Sequence, residues 1–375
     1  MSESKAITPK FDHSVPAFWP LAMTMEMEEG GLDLFRKNMK AVAEIAEISD
    51  PPPSVWATQN RILQDMDTMR LRDFTREGAA QGGVPVLIDP PFAGHSSTIA
   101  DYQKGQSLIE TLLDAGVPRV LAMDWKAATP EMRDFDIDKY LAEINVVVDD
   151  LGGRVALVGL CQGGWMSAMY AARFPEKVAA LVLAGSPIDT NAGHGPIRKM
   201  AHEMPLDLYR EMVESGGGRM LGKYMLAGWK NMHPGKQYLG KFIDLYAHAT
   251  DEKYLKRTKT FERWYENPID LPGTYYLQAI KLLFKDNLFA KGKFVGLGRR
   301  LDLKTITCPL YMLAGKSDDI TTWEQVYAAE HLVGTDPAKM VKQTVPGGHI
   351  GLFMGSNTLK DTWPGIAKWI MEAVS

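Results

Sequence analysis

Cysteine is scarce in this sequence: 375 residues contain two, Cys161 and Cys308. Two cysteines supply neither a disulfide framework nor a zinc-type cluster such as C-x-x-C, and the count fits a reducing compartment. Long apolar runs are missing as well. None approaches the ~20 residues that a membrane-spanning helix needs. The N-terminus lacks the basic region, apolar run and small-residue cleavage site of a secretory signal. Excess charge of one sign is also absent: 42 Lys and Arg stand against 46 Asp and Glu, a net charge of -4, with the two signs interspersed. There is no basic stripe of the kind that binds nucleic acid. These absences lead us to expect a soluble, cytoplasmic protein with no nucleic-acid partner, no transmembrane segment and no metal site.

What is present is ordinary for a globular chain, with 45% hydrophobic and 23% charged residues. A core of this size needs no covalent support. The 21 methionines are read mainly as filler of irregular core space.

Residues 1–30 are polar and proline-punctuated. Phe35, Met39, Val42, Ile45 and Ala46 recur at helical spacing and predict a helix over Leu32 to Ile48, ended by Pro51-Pro52-Pro53. A second helix is expected from Val55 to Met66. Strands and helices then alternate. Val84–Ile88, Arg119–Met123, Arg154–Gly159 and Val178–Ala184 read as strands, and Ser107–Ala115, Ile137–Leu151 and Gly163–Arg173 as helices. Such alternation indicates βαβ units and a parallel sheet. The continuous apolar character of the strands agrees, because parallel strands are buried on both faces.

The alternation stops after Pro187, and a mainly helical stretch follows, with Pro205–Glu214, Lys236–His248 and Tyr275–Phe284 as helical pieces. Strands return at Leu310–Ala314 and Lys342–Val345, and a helix over Trp363–Val374 closes the chain. The expected organisation is an N-terminal helical extension over 1–75, an α/β core over 76–188 and 287–375, and a helical cap inserted over 189–286. An insertion of that size above a sheet serves as a lid.

The motif that carries chemistry is Gly159-Leu160-Cys161-Gln162-Gly163-Gly164, between a buried strand and a helix. This is the G-x-S-x-G nucleophile-elbow pattern with cysteine in the serine position, and it marks an α/β-hydrolase fold. The nucleophile sits on a sharp turn, so its neighbours must tolerate close backbone approach. The helix that starts there aims free amides and the positive end of its dipole at the thiol, and the thiolate is the reactive form of cysteine. The backbone amide of Gln162 is the expected first oxyanion donor. The second should come from the loop after the early strand, at Phe92 or Ala93, because Pro91 has no N–H.

The expected chain order is nucleophile, acid, histidine. His349 lies in Pro346-Gly347-Gly348-His349-Ile350-Gly351 after a late strand, where glycines let a loop carry the imidazole to the thiol. Asp318 and Asp319 are adjacent after the strand before it. One should bind His349, and the other is solvated or caps the next helix. His95, Trp165 and Asp319 are candidates for substrate contact. For His95 a structural hydrogen bond is an equal alternative, and for Trp165 simple packing of the helix onto the sheet. Cys308, next to Pro309, reads as a small buried hydrophobe.

From Val84 onward these residues resemble the polyhydroxyalkanoate synthases and the intracellular polyhydroxyalkanoate depolymerases with a cysteine nucleophile. The Gly159–Gly164 box, the Val345–Gly351 histidine loop, Asp302–Pro309, Asp270-Leu271-Pro272-Gly273 and Asn287-Leu288 are similar to the two-component synthases. Pro91–Thr98, Gly185–Asp189, Tyr275-Tyr276-Leu277 and Asp318-Asp319-Ile320 are similar to the depolymerases. Synthases usually have Asp-His where this chain has Asp318-Asp319, and depolymerases usually lack the Gly163-Gly164 pair.

The resemblance implies Cys161 as nucleophile, Asp318 as orienting acid and His349 as base, with no cofactor. The implied partner is a polyhydroxyalkanoate polymer, its oligomer or a 3-hydroxyacyl-CoA, and granule association, a dimer or a partner subunit are compatible with it. The first functional expectation is hydrolysis of the polymer, on the strength of the Gly94-His95 loop and the Asp318-Asp319 pair. The second is polymerisation of 3-hydroxyacyl-CoA. The third is an inactive granule-binding protein whose cap, with Met225, Trp229, Met232, Trp264, Tyr265, Tyr275 and Tyr276, holds polymer. A complete apparent triad argues against the third.

Overall fold

The alternating apolar runs form one eight-stranded sheet in the computed structural model, which describes residues 51–80, 82–232, 248 and 251–375. Its strands are β1 (Arg61–Asp65), β2 (Met69–Asp73), β3 (Val86–Asp89), β4 (Val120–Trp125), β5 (Val155–Leu160), β6 (Val178–Ala184), β7 (Leu310–Gly315) and β8 (Met340–Val345). Their spatial order is β1-β2-β4-β3-β5-β6-β7-β8. β1 and β2 pair antiparallel with their neighbours, and the rest of the sheet is parallel.

Every residue of β3 to β7 is buried, so both faces of the sheet centre are covered. The covering helices α1 (Leu108–Asp114), α2 (Ile137–Asp150), α3 (Gln162–Arg173) and α4 (Trp363–Val374) pack as two pairs, α2 with α3 and α1 with α4. Sequence dictates their starts. Asp136 accepts a hydrogen bond from the Lys139 amide and caps α2, and Ser107 does the same for α1 through the Glu110 amide. On α2, Ile137, Tyr140, Leu141, Ile144, Val147 and Val148 fall on the buried stripe at helical spacing.

The expected helix over Val55–Met66 is not there. Residues 61–65 and 69–73 are instead a β-hairpin added to the sheet edge. In Met69-Arg70-Leu71-Arg72-Asp73 the buried and partly exposed side chains alternate strictly, which is the period of a strand. The sheet therefore begins at Arg61, within the segment expected to be a helical extension. The expected helices over 32–48 and 236–248 lie outside the described residues, the latter except His248.

The chain divides into two compact units, 53–232 with 267–375, and 1–52 with 233–266. In the smaller, the described part is chiefly the helix Glu252–Tyr265, capped by Asp251, with His248 stacked on Tyr254 at 4.4 Å. In the larger, the insertion after β6 contributes helices Pro196–Glu203, Leu206–Ser215, Gly222–Met232 and Gly273–Gln278, the last continuing as a π-helix over Ala279–Lys285. No described helix is long and apolar enough to cross a membrane.

Candidate active site

Parallel strands open their C-terminal ends on one edge, and the site is assembled there. Asp89 at the end of β3 pairs with Gly159 on β5, and Leu160 pairs with Ala184 on β6. Cys161 follows β5 directly, with φ 53° and ψ -117°. A non-glycine residue held in this region is strained, and it persists because the surroundings determine it. The Cys161 amide donates to the Ala184 carbonyl at 2.8 Å, and the Gly164 amide donates to the Cys161 carbonyl at 3.0 Å.

The flanking glycines are needed for space. A Cβ on Gly159 would lie 2.4 Å from the Gly164 Cα, one on Gly163 2.0 Å from the Asp89 carbonyl oxygen, and one on Gly164 1.7 Å from Ser186 Oγ. Helix α3 thus starts in contact with β3, β5 and the turn after β6. Gln162 is its first residue, so its amide has no partner within the helix.

Asp318 and His349 come from the loops after β7 and β8. Those loops are tied together by backbone bonds from Lys316 to Val345 (2.8 Å) and from Ser317 to Gly347 (3.1 Å). His349 Nδ1 lies 2.7 Å from Asp318 Oδ2, with both residues buried. The other carboxylate oxygen of Asp318 accepts the amides of Ile320 and Thr321, at 3.0 and 2.9 Å. Of the two adjacent aspartates, Asp318 is therefore the one on the imidazole, and Asp319 is exposed.

His349 is also wedged edge-on against Phe353 at 5.4 Å. Its Nε2 is buried and has no hydrogen-bond partner among the described residues. Burial alone would push this imidazole down. The nearby Cys161 charge and then the Asp318 carboxylate outweigh that, and they hold it well above its ordinary value. Cys308 behaves differently: burial pushes its thiol up to about 11, which keeps it protonated and inert near neutrality.

Phe92 and Ala93 stand in the loop after β3, three and four residues beyond the Asp89 pairing partner of Gly159. The Phe92 ring is buried among Trp125 (5.9 Å), Tyr140 (5.2 Å) and Tyr275 (5.4 Å). His95 is half-buried in the same loop. Trp165 is buried and lies near-parallel to Tyr275 with ring centres 6.2 Å apart. It also lines a small pocket with Pro187, Ile188, Thr190 and Leu283, so it packs α3 and shapes a cavity wall at once.

Two residues that sequence reasoning passed over for the site stand behind the elbow. Asp89 is fully enclosed, with Oδ2 accepting from Ser167 Oγ at 2.9 Å. Tyr275 accepts a hydrogen bond from Gln162 Nε2 at 2.9 Å. Asp89 closes an apolar strand with an acid just before Pro90-Pro91, a signal visible in the sequence. The sequence marks Tyr275 only as a cap residue for polymer and as part of a depolymerase-like segment; nothing in it signals the bond to Gln162. Tyr275 is buried and Tyr276 half-buried. Among the described residues no cluster of His, Cys, Asp and Glu is arranged to hold a metal ion.

A mostly parallel eight-stranded sheet with a cysteine on the sharp turn after β5, an aspartate after β7 and a histidine after β8 defines an α/β-hydrolase fold. The fold is shared by a carboxylesterase structure from Nitrososphaera gargenis (TM-score 0.52, 15% identity, 84% of this chain and 100% of that one). It is shared too by a thermophilic esterase from Thermogutta terrifontis (TM-score 0.50, 16% identity, 85% and 100%). The chain belongs to the family described as "Protein of unknown function (DUF3141)", which matches residues 51–361.

It is also similar to proteins named poly(3-hydroxyalkanoate) polymerase subunit PhaC. The one from Allochromatium vinosum is 28% identical over 94% of this chain and 98% of that protein. The one from Haloferax mediterranei is 26% identical over 91% and 71%.

Proposed function

We propose that this protein transfers 3-hydroxyacyl groups through an acyl thioester on Cys161, as an enzyme of polyhydroxyalkanoate turnover. The observation that carries the reading is the buried His349–Asp318 pair beside the half-buried Cys161 at the elbow, with the imidazole held above its ordinary pKa by the Cys161 charge and the carboxylate. Cys161 attacks the acyl carbonyl as a thiolate. The amide of Gln162 and that of Phe92 or Ala93 hold the oxyanion, each worth about 3 kcal/mol in comparable sites. His349 delivers its proton to the leaving group, then takes one from the incoming acceptor. Asp318 fixes the ring so that Nε2 faces the chemistry.

The acceptor decides the reaction. The relatives matching nearly the whole chain are named polymerase subunits, which favours the hydroxyl of a growing polyester chain, with 3-hydroxyacyl-CoA as donor. Hydrolysis of the polymer or its oligomers, the first expectation from the sequence, is the second reading. It is favoured by Asp318-Asp319 in place of the Asp-His usual in the synthases. Both readings place the enzyme at polymer, on a granule surface or alone. The test offers 3-hydroxybutyryl-CoA and amorphous poly(3-hydroxybutyrate) in parallel. CoA release with polymer growth supports polymerisation, and soluble 3-hydroxybutyrate supports hydrolysis. Either activity must vanish in Cys161→Ala, and its survival there would refute the nucleophile. An unmodified Cys161 after exposure to acyl probes, with no turnover, would leave the inactive polymer-binding protein.

A further inference from the structure

We infer that Tyr275, a residue of the insertion, is a positioning residue for the oxyanion hole, acting on both of its halves. The inference rests on the reading of Cys161 as an acylated nucleophile. Gln162 supplies the amide next to that nucleophile, and its side chain donates to the Tyr275 hydroxyl at 2.9 Å. Phe92 stands in the loop that supplies the second amide, and its ring meets Tyr275 edge-on at 5.4 Å. One buried phenol thus touches both the residue after Cys161 and the loop that would supply the second amide. Tyr140, at 4.6 Å, closes another side of the ring.

The segment that carries Tyr275 is itself fixed. The Tyr275 amide donates to the Phe135 carbonyl at 3.0 Å, and Gln278 Oε1 accepts the Ile137 amide at 2.9 Å. Ile269, just before it, donates to the carbonyl of Gly94 in the oxyanion-side loop at 2.9 Å. The insertion is therefore bonded to that loop at Gly94 and to the elbow at Gln162.

Loss of the hydrogen-bond partner of a phenol placed so deep is costly. That holds the Gln162 side chain in one place. The peptide plane between Cys161 and Gln162 carries the donor, and it already sits beside a strained residue. Restraint of Gln162 limits the plane's rotation, which is what a preorganised donor requires. Burial first of all, with the neighbouring Tyr140 and Asp89, keeps the phenol neutral. It therefore adds no negative charge behind a developing oxyanion.

The test compares two reactions of Cys161 in wild type and Tyr275→Phe, which keeps the ring and removes the hydroxyl. Acylation by p-nitrophenyl acetate passes through a tetrahedral oxyanion, and alkylation by iodoacetamide does not. The expected result is acylation slowed about tenfold at saturating ester, with KM within about twofold and alkylation unchanged. Gln162→Met should give the same split, and the double variant should be no slower than either single one. Unchanged acylation in Tyr275→Phe overturns the inference. So does an equal fall in both reactions, which marks a general disturbance of the fold. A wild-type enzyme that is alkylated but never acylated overturns the acyl-enzyme reading itself, a result distinct from the other two.

Discussion

His349 Nδ1 and Asp318 Oδ2 are 2.7 Å apart, and the second oxygen of Asp318 is saturated by the amides of Ile320 and Thr321. The carboxylate cannot swing away without losing three bonds, so it fixes the imidazole in one orientation. It also raises the imidazole pKa, after the larger effect of Cys161 and against that of burial. Asp318→Asn should lower kcat by roughly two to four powers of ten, as in related triads. The direction of the pH effect follows from the charge removed. Loss of a raising influence lowers the imidazole pKa, so the alkaline limb of the kcat/KM profile should move to lower pH. A profile that keeps its alkaline limb in Asp318→Asn would show that the limb belongs to another group.

The two cysteines should differ sharply in reactivity. Burial pushes the Cys308 thiol up to about 11, whereas Cys161 stands at a helix start near His349, whose imidazole is held above its ordinary pKa. Near neutral pH, limiting iodoacetamide should modify one thiol per chain, located by peptide mapping at Cys161. Labelling of Cys308 at a comparable rate would contradict this contrast.

The elbow makes a steric prediction. An alanine at position 164 would put its Cβ 1.7 Å from Ser186 Oγ and 2.3 Å from Ser186 Cβ. Gly164→Ala should therefore destabilise the fold by about 1–3 kcal/mol in chemical unfolding, the usual range for overpacking. Ser186→Gly removes both colliding atoms and leaves the Gly159 carbonyl oxygen at 3.4 Å, so the double variant should recover most of the loss. Equal destabilisation in the single and double variants would mean that the collision is not the cause.

The parallel core was legible in the sequence because its strands are continuous apolar runs. Val178–Ala184 is bounded as expected, and β3, β4, β5, β7 and β8 deviate by only a few residues at their ends. The edge hairpin was not legible. Ile62 and Leu63 suit a helix as well as a strand, and pairing with β2, itself held by β4 from a distant part of the sequence, decides between them. The elbow could be placed because its glycines answer a local steric demand. The choice of Asp318 over Asp319 could not, because it depends on which carboxylate the β7 and β8 loops turn toward His349. Tyr275 was beyond reach for the same reason: its partner Gln162 is 113 residues away.

Asp89 supplies the last prediction. It ends β3 directly behind the elbow, with its carbonyl against Gly163 and its carboxyl against Ser167 on α3. Burial raises its pKa well above the usual carboxylate range, while bonds from Ser167 and Trp125 pull less strongly the other way. Burial thus favours the neutral form of this acid, and a negative charge behind the elbow would oppose both the thiolate and the oxyanion. The stability consequence has a definite sign. A folded pKa above the unfolded one means that the folded state binds the proton more tightly. Its contribution is complete below the ordinary carboxyl pKa and is lost as pH rises through the raised folded value. Asp89→Asn keeps an acceptor for Ser167 and cannot ionise. The Tm difference between Asp89→Asn and wild type should therefore grow in favour of the variant as pH rises above the ordinary carboxyl range. A difference that stays constant over that rise would show that Asp89 does not stay protonated, and that the elbow tolerates a buried charge behind it.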